Sequence, residues 1–157
     1  MKILLVAATD FEISGLESND IFDVLIGGVG VPSTIFNLQK KLVTNHNYSH
    51  ILQIGFGGIH RDSLNTNNWH LGDLIAISKD VFGDIGALEN NSFKTVTDMG
   101  LSKQDSWIVN TNIETLNSKK LPVGTAVTCN TITDNNHIIS SLRNYWNADI
   151  ESMEGAA

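Results

Sequence analysis

Short apolar runs, glycine turns and amphipathic segments follow one another along this chain. Residues 1–8 and 22–26 are rich in Ile, Leu and Val, which is the pattern of strands covered on both faces. After the second run glycines turn the chain, and Val31, Ile35 and Leu38 then recur at helical spacing. The pattern therefore predicts a first strand followed by a strand–turn–helix unit.

The same alternation continues to the end of the sequence. We predict strands at residues 51–54, 73–78, 123–129 and 148–151, an amphipathic helix at 135–146, and a mixed segment at 105–116 that is compatible with a helix. Strands that alternate with helices favour parallel pairing. The predicted fold is therefore α/β: a mostly parallel mixed sheet flanked by helices, in a single domain over residues 1–157.

The last residues have the composition of a helix start. Ser152 stands where an N-cap is expected, and residues 153–157 would form only the first turn behind it. Isolated first turns are unstable because helix nucleation is unfavourable. We therefore expect the sequence to be incomplete at its C-terminus, without the strand and helix that would follow.

Composition and charge exclude several classes of function. The chain has 157 residues, 41% of them apolar and 17% charged, which is ordinary for a globular protein. A net charge of -7 leaves no basic stripe for a nucleic-acid backbone. No stretch approaches the roughly 18 apolar residues of a membrane span, and the lone Cys129 cannot form an internal disulfide. We expect a cytoplasmic protein that binds neither nucleic acid nor membrane.

No motif for a metal, a phosphate or a dinucleotide is convincing. The histidines are scattered without metal-ligand spacing, and no glycine loop continues as Gly-Lys-Ser/Thr. The turn at Gly28 and Gly30 has Ser33 where a dinucleotide fingerprint needs its third glycine. We therefore expect neither a metal nor an organic cofactor.

Two glutamates lie just beyond predicted strands at opposite ends of the sequence. Glu12 follows the first strand and Glu154 follows the last one. Open α/β folds bind their ligands at the carboxyl ends of their strands, so both carboxylates are candidates for one pocket. Each also fits a solvated glutamate in a loop or a first helical turn, and position alone favours that interpretation.

Four short motifs follow one another in a recognisable order. They are Ala8-Thr9-Asp10-Phe11-Glu12, Gly55-Phe56-Gly57-Gly58, Gly72-Asp73, and Glu151-Ser152-Met153-Glu154-Gly155-Ala156. Together they resemble the nucleoside phosphorylase and nucleosidase superfamily over the length of the chain. Segments 84–89 and 99–101 and the Glu-Ser-Met-Glu-Gly-Ala-Ala ending are most similar to futalosine hydrolase, an enzyme of the menaquinone pathway that releases hypoxanthine.

The resemblance implies a role for each of these positions. In related nucleosidases the glutamate matching Glu12 activates the attacking water, and the pair matching Met153 and Glu154 holds the ribose. The chemistry suits this, because departure of the base leaves an oxocarbenium-like sugar whose positive charge a carboxylate stabilises. The other substrate contacts implied by family position are Ser152, Phe56, Gly57, Gly58, Thr131 and Ile132.

Water is the expected nucleophile, rather than phosphate. A phosphate site needs cationic donors, and Arg61 and Arg143 are the only arginines in the sequence. Glu12 would also repel a phosphate dianion. The resemblance therefore implies hydrolysis of a purine nucleoside, and Arg61 or His60 is a candidate cation for the carboxylate of futalosine, although both also fit a solvated loop.

Several alternatives stay open. A methylthioadenosine/S-adenosylhomocysteine nucleosidase and a purine nucleoside phosphorylase are the alternative enzymes, and a nucleoside-binding module without catalysis is the alternative outside enzymes. Relatives usually protonate the leaving purine from a residue that would lie beyond Ala157, so we expect little turnover from this chain alone. Relatives also complete their pockets across subunit contacts, which implies a homo-oligomer.

Overall fold

The computed structural model describes residues 1–45, 47–89, 92–103, 106–107, 121–132 and 134–157. This part of the chain forms two compact units, Met1–Phe56 together with Ala157, and Gly57–Ala156. The first unit contains a three-stranded sheet, and the second contains a five-stranded sheet and a two-stranded hairpin.

The first unit is a parallel sheet with one helix. Its strands are β1 (Lys2–Ala7), β2 (Phe22–Ile26) and β3 (Tyr48–Gln53), hydrogen-bonded in the order β2-β1-β3. The central strand β1 is buried from Leu4 onwards, as expected for a strand with a neighbour on each side. Helix α1 (Val31–Thr44) connects β2 to β3 and has Pro32 in its first turn, where its missing N–H is tolerated.

Glycines shape the turn between β2 and α1. Gly28 and Gly30 have φ values of 85° and 84°, in the left-handed region that other residues rarely adopt. The Gly27 N–H donates to the Ala7 carbonyl at 2.7 Å, and the Thr34 hydroxyl donates to the Gly28 carbonyl at 3.1 Å. The turn is therefore a tight structural connection that ties the start of α1 to the end of the sheet.

The second unit is built around a mixed sheet. Its strands are β4 (Gly58–Ile59), β5 (Ala76–Phe82), β6 (Gly86–Glu89), β7 (Ser92–Thr95), β8 (Ser106–Trp107), β9 (Val123–Thr128) and β10 (Ile150–Ser152), and its helices are α2 (Arg61–Asn67) and α3 (Asn136–Trp146). The sheet order is β4-β10-β9-β5-β8, with β10, β9 and β5 parallel and the two edge strands antiparallel. Its core contains Val81, Val127, Cys129, Leu142 and Ala148.

Asp149 ties helix α2 to the middle of this sheet. One carboxylate oxygen accepts hydrogen bonds from the Ser63 hydroxyl at 2.9 Å and the Asn67 amide at 3.2 Å. The other accepts from the Thr125 backbone N–H at 3.0 Å. This carboxylate therefore fixes the connection that leads into β10.

The predicted fold class is confirmed: the strands pair mostly in parallel and alternate with helices along the chain. Strands β1, β2 and β9 and helix α3 lie where the pattern predicts them, whereas β3, β5 and β10 are displaced along the chain by two to four residues at an end. Helix α2 was not predicted, because its sequence has a single large apolar residue, Leu64. The β6–β7 hairpin was not predicted either. Of the mixed segment at 105–116, the short strand β8 is described and the rest lies outside the described residues. None of the helices in the described part of the chain has the length and apolarity needed to span a membrane.

Candidate active site

The Glu12 carboxylate is held at the carboxyl ends of β1 and β3 in the first unit. Its Oε2 accepts hydrogen bonds from the Thr9 backbone N–H at 2.9 Å and the Thr9 hydroxyl at 3.3 Å. Its Oε1 accepts one from the Phe56 backbone N–H at 3.2 Å. An ionised carboxylate has about four lone-pair directions, so capacity remains for a proton of a water molecule. The side chain is only partly buried, which leaves it accessible to water.

The residues around Glu12 combine close backbone approach with aromatic surface. A Cβ on Gly55 would lie 3.0 Å from Glu12 Oε1, closer than most real contacts, so this position is suited to glycine. The rings of Phe11 and Phe56 lie beside it, with centroids 5.8 Å apart, and they are 78% and 69% exposed. Exposed aromatic faces of this kind offer a stacking surface for a planar ligand.

In the second unit three parallel strands end at one edge of the sheet. Phe82 of β5 pairs with Thr128 of β9, and Thr128 pairs with Ser152 of β10. The segments that follow start side by side, because the Cys129 N–H donates to the Ser152 carbonyl at 2.9 Å. This is the kind of edge at which open α/β sheets bind ligands. The predicted substrate residues that follow these strand ends are Thr131, Ile132, Met153 and Glu154.

Gly57 and Gly58 lie beside β10, at the start of the same unit. Gly58 pairs with Glu151 in antiparallel register. A Cβ on Gly57 would lie 2.6 Å from Ile150 Cγ2, whereas one on Gly58 would meet nothing closer than the Glu151 carbonyl oxygen at 3.9 Å. Gly57 therefore has a packing reason to be glycine that does not involve a substrate, and Gly58 has space around it.

The Met153–Glu154 pair lies in a turn closed by Ser152. The Gly155 N–H donates to the Ser152 hydroxyl at 3.2 Å, which is the N-cap hydrogen bond predicted from the sequence. Glu154 is buried, with 9% of its surface exposed, and Met153 is partly buried. The Ser152 hydroxyl is engaged inside the protein, and the substrate contact predicted for this residue stays a prediction.

The segment after β9 is anchored at its second residue, Asn130. The Asn130 backbone N–H donates to Asp84 Oδ2 at 2.6 Å, and its side-chain amide lies 3.3 Å from the same carboxylate. Thr131 and Ile132 follow this anchor and are exposed, Ile132 to 75%. These two predicted substrate contacts are therefore presented on the surface of the unit, directly after an anchored residue.

Asp80 is a buried carboxylate that the sequence analysis did not single out. It lies on β5, is 1% exposed, and accepts a hydrogen bond from the Thr128 hydroxyl at 2.9 Å. Burial raises the pKa of Asp80 to about 6, against the lowering effect of hydrogen bonds from Thr128, the Val81 backbone and Ser152. An aspartate within a strand, directly before the apolar Val81 and Phe82, was the signal that could have identified it.

Glu151 and Cys129 are both affected by their surroundings. Burial, and then the neighbouring Asp84 carboxylate, raise the pKa of Glu151. Burial, followed by the charges of Glu151, Asp84 and Asp80, raises the pKa of the Cys129 thiol to about 12. This thiol is therefore protonated at neutral pH and is a poor nucleophile. Among the described residues, no group of three or more His, Cys, Asp and Glu side chains is arranged to hold a metal ion.

Neither of the two candidate cations, His60 and Arg61, lies in a solvated loop, because both are at the start of helix α2. His60 caps the start of α2 and is 6% exposed, with no hydrogen-bond partner for its Nε2. Burial, and then the Arg143 guanidinium, lower the pKa of His60, so its imidazole is neutral at pH 7 and is not a cation for a ligand. Arg143 forms an ion pair with Asp62. Arg61 is exposed in the first turn of α2.

Comparison with known proteins gives a match in structure but not in sequence. No family model and no curated protein sequence matches the chain. Among solved structures it is similar to the Helicobacter pylori enzyme MTAN, with a TM-score of 0.75 and 14% sequence identity, over 99% of this chain and 79% of that one.

Two streptococcal enzymes have slightly lower TM-scores. The S-adenosylhomocysteine nucleosidase of Streptococcus pyogenes, in complex with 5-methylthiotubericidin, has a TM-score of 0.72 and 17% identity, over 99% of this chain and 75% of that one. The MTA/SAH nucleosidase of Streptococcus pneumoniae, in complex with 8-aminoadenine, has a TM-score of 0.72 and 14% identity, over 99% and 76%. The chain therefore has the nucleoside phosphorylase and nucleosidase fold that its motifs predicted.

Proposed function

We propose that this protein is a purine nucleosidase, which uses water to break the bond between a purine and its ribose. The observation that carries the proposal is the oriented carboxylate of Glu12, held by Thr9 and by the Phe56 backbone in a chain with the nucleosidase fold. A general base has to lie within hydrogen-bonding reach of its water and keep an acceptor position for the proton. Glu12 meets the second condition and is accessible for the first.

In the proposed reaction Glu12 and Glu154 have different roles. Water forms the new bond to the anomeric carbon and gives a proton to Glu12. The electron pair of the broken glycosidic bond leaves with the purine, which takes up a proton. Glu154 accepts hydrogen bonds from the ribose hydroxyls, and Met153 provides an apolar surface against the sugar.

The charges of the described residues favour water over phosphate as the nucleophile. Arg143 is engaged with Asp62, and Arg61 is exposed at the start of α2. A phosphate site needs several cationic or N–H donors that converge on one point. The Glu12 carboxylate would repel such an anion.

The candidate substrates are futalosine on one side, and methylthioadenosine and S-adenosylhomocysteine on the other. The motifs quoted above, in particular the Glu-Ser-Met-Glu-Gly-Ala-Ala ending, support futalosine. The similar structures are of nucleosidases named for methylthioadenosine and S-adenosylhomocysteine, which supports those nucleosides. A neutral His60 cannot form an ion pair with the carboxylate of futalosine. Of the two candidate cations, His60 and Arg61, only Arg61 therefore remains for that contact.

We also propose that the protein self-associates. In the first unit, helix α1 presents an exposed apolar face with Phe36 68% and Val43 61% exposed, next to Pro32 and Ile35. Apolar faces of this kind are typical of protein interfaces. A second copy of the chain is the proposed partner.

The proposal is tested by incubating the protein with futalosine and, separately, with methylthioadenosine in phosphate-free buffer. Free hypoxanthine or adenine is followed by chromatography. We expect slow base release, in keeping with the little turnover expected of this chain alone, that is lost in Glu12→Gln and retained in Glu17→Gln, a matched change at an exposed loop position. Release that depends on added phosphate would identify a phosphorylase, and nucleoside binding without release would identify a binding module.

A further inference from the structure

Two buried residues of the second unit are linked to the turn that carries Met153 and Glu154. The Thr128 hydroxyl donates to Asp80 Oδ1 at 2.9 Å, and both residues are almost inaccessible, with 0% and 1% of their surfaces exposed. The Ala156 backbone N–H donates to the same Thr128 hydroxyl at 3.0 Å. A hydrogen-bonded path therefore leads from the inside of the sheet to the end of the turn.

The ionised form of Asp80 sets the direction of these hydrogen bonds. A carboxylate only accepts, so the single hydroxyl proton of Thr128 points to Asp80. Ser152 Oγ lies 3.0 Å from Thr128 Oγ1, and the Ser152 side chain also forms a hydrogen bond to the Asp80 carboxylate. The free lone pairs of the two hydroxyls accept the N–H groups of Ala156 and Gly155. One buried charge thus orders both backbone donors of the turn.

Gly155 brings the turn directly against this carboxylate. A Cβ at Gly155 would overlap Asp80 Oδ2 and would lie 3.1 Å from Asp80 Cγ and 3.0 Å from the Ser152 hydroxyl. The backbone of the turn therefore rests on Asp80, which fixes its distance from the sheet as well as its hydrogen bonds. Glu154 is the residue immediately before this contact.

We infer that Asp80 and Thr128 are positioning residues, which fix the turn at Met153 and Glu154 in the orientation that grips the ribose. The part that concerns ribose rests on the proposed function. Burial of the Asp80 carboxylate costs free energy because the charge loses its water. Its position under the turn explains functionally why a carboxylate is buried there. Asp80 and Thr128 act through Glu154 and do not themselves touch the substrate.

The inference is tested first by hydrogen exchange of backbone amides in the full chain. Thr128→Val keeps the shape of the side chain but removes the hydroxyl, and Thr128→Ser keeps the hydroxyl. We expect the Ala156 amide to exchange about tenfold faster in Thr128→Val, relative to the Ala76 amide that donates to Pro122, and to change by less than about twofold in Thr128→Ser. Equal exchange in the two variants would overturn the inference.

Two further variants separate this effect from a general loss of stability. Thr125→Val removes a hydroxyl three residues before Thr128 on β9, which donates to the Asn147 carbonyl, and the exchange ratio is expected to stay unchanged. Asp80→Asn removes the buried charge and replaces one acceptor oxygen by an NH2 group that donates. It is expected to raise the exchange of Ala156 and also covers the case in which Thr128→Val does not fold.

The second measurement is affinity for futalosine and methylthioadenosine, each titrated by calorimetry in a Glu12→Gln background. Thr128→Val is expected to raise the dissociation constant about tenfold and Thr128→Ser to restore it. Faster exchange without weaker binding would overturn the positioning role. A Glu12→Gln parent that binds neither nucleoside would contradict the proposed function, while the exchange ratio would still decide whether the turn is held by Asp80 and Thr128.

Discussion

The backbone N–H of Phe56 donates to the carboxylate of Glu12 at 3.2 Å, which joins two residues that are 44 positions apart in the sequence. Because the donor is a backbone group, its position is set by the path of the chain after β3 and not by a side-chain rotamer. The orientation of Glu12 therefore depends on residue 55, which brings this backbone close to the carboxylate.

Gly55→Ala is expected to lower the rate of base release about tenfold, because displacement of a catalytic group by a fraction of an ångström misaligns it. The new Cβ would lie 3.0 Å from Glu12 Oε1 and must push it away. Steady-state kinetics checks this, with thermal unfolding to verify the fold. Gly27→Ala is the control, since its Cβ would meet nothing closer than 3.4 Å. Equal rates in the two variants would contradict the expectation.

Gly57→Ala is expected to destabilise the second unit by about 1–3 kcal/mol, as overpacking of a well-packed site usually does. A Cβ there would lie 2.6 Å from Ile150 Cγ2 on β10. Gly58→Ala, whose Cβ would have a nearest neighbour at 3.9 Å, is expected to change stability by only about 0.5 kcal/mol. Urea unfolding followed by circular dichroism measures both, and similar losses in the two variants would refute the packing argument.

Sequence patterns predict much of this fold because its buried strands are short, apolar and separated by glycines. The burial of β1 from Leu4 to Ala7 follows directly from its composition. The Ser152 cap was also predictable, since a serine before a helix-like turn has a local partner three residues on. In these cases the determining interactions are local or depend only on hydrophobicity.

Interactions between distant segments are not visible in the same way. The bond from Phe56 to Glu12 and the path from Asp80 through Thr128 join residues brought together by strand register, which a single sequence does not specify. His60 illustrates the opposite error, because it was interpreted as a candidate cation or a solvated loop residue and it is buried. Helix α2 was missed because its sequence lacks apolar periodicity.

Phe36→Arg is expected to abolish self-association if the exposed face of α1 is the contact between copies, because a charge in an apolar interface is left desolvated. Sedimentation velocity of the wild type and the variant measures the change in mass. Leu88→Arg, at a 58% exposed apolar position on β6, is the control and is expected to leave the assembly unchanged. A wild-type protein that sediments as a monomer would refute the proposal.

The buried carboxyl group of Asp80 makes the free energy of unfolding depend on pH. Its pKa is raised from 3.8 in the unfolded chain to about 6 in the folded one, so the folded state binds the proton more tightly. Its contribution to stability is therefore present at low pH and is lost as pH rises from about 4 to above 6. The size of the full loss is about 3 kcal/mol, of which about 2 kcal/mol falls between pH 4.5 and pH 7.5, and Asp80→Asn is expected to remove it. The measurement is the free energy of unfolding of both proteins in urea at pH 4.5 and pH 7.5. The difference between them isolates Asp80 from Glu151 and the other carboxylates, and parallel pH profiles would show that the buried carboxylate does not titrate in this range.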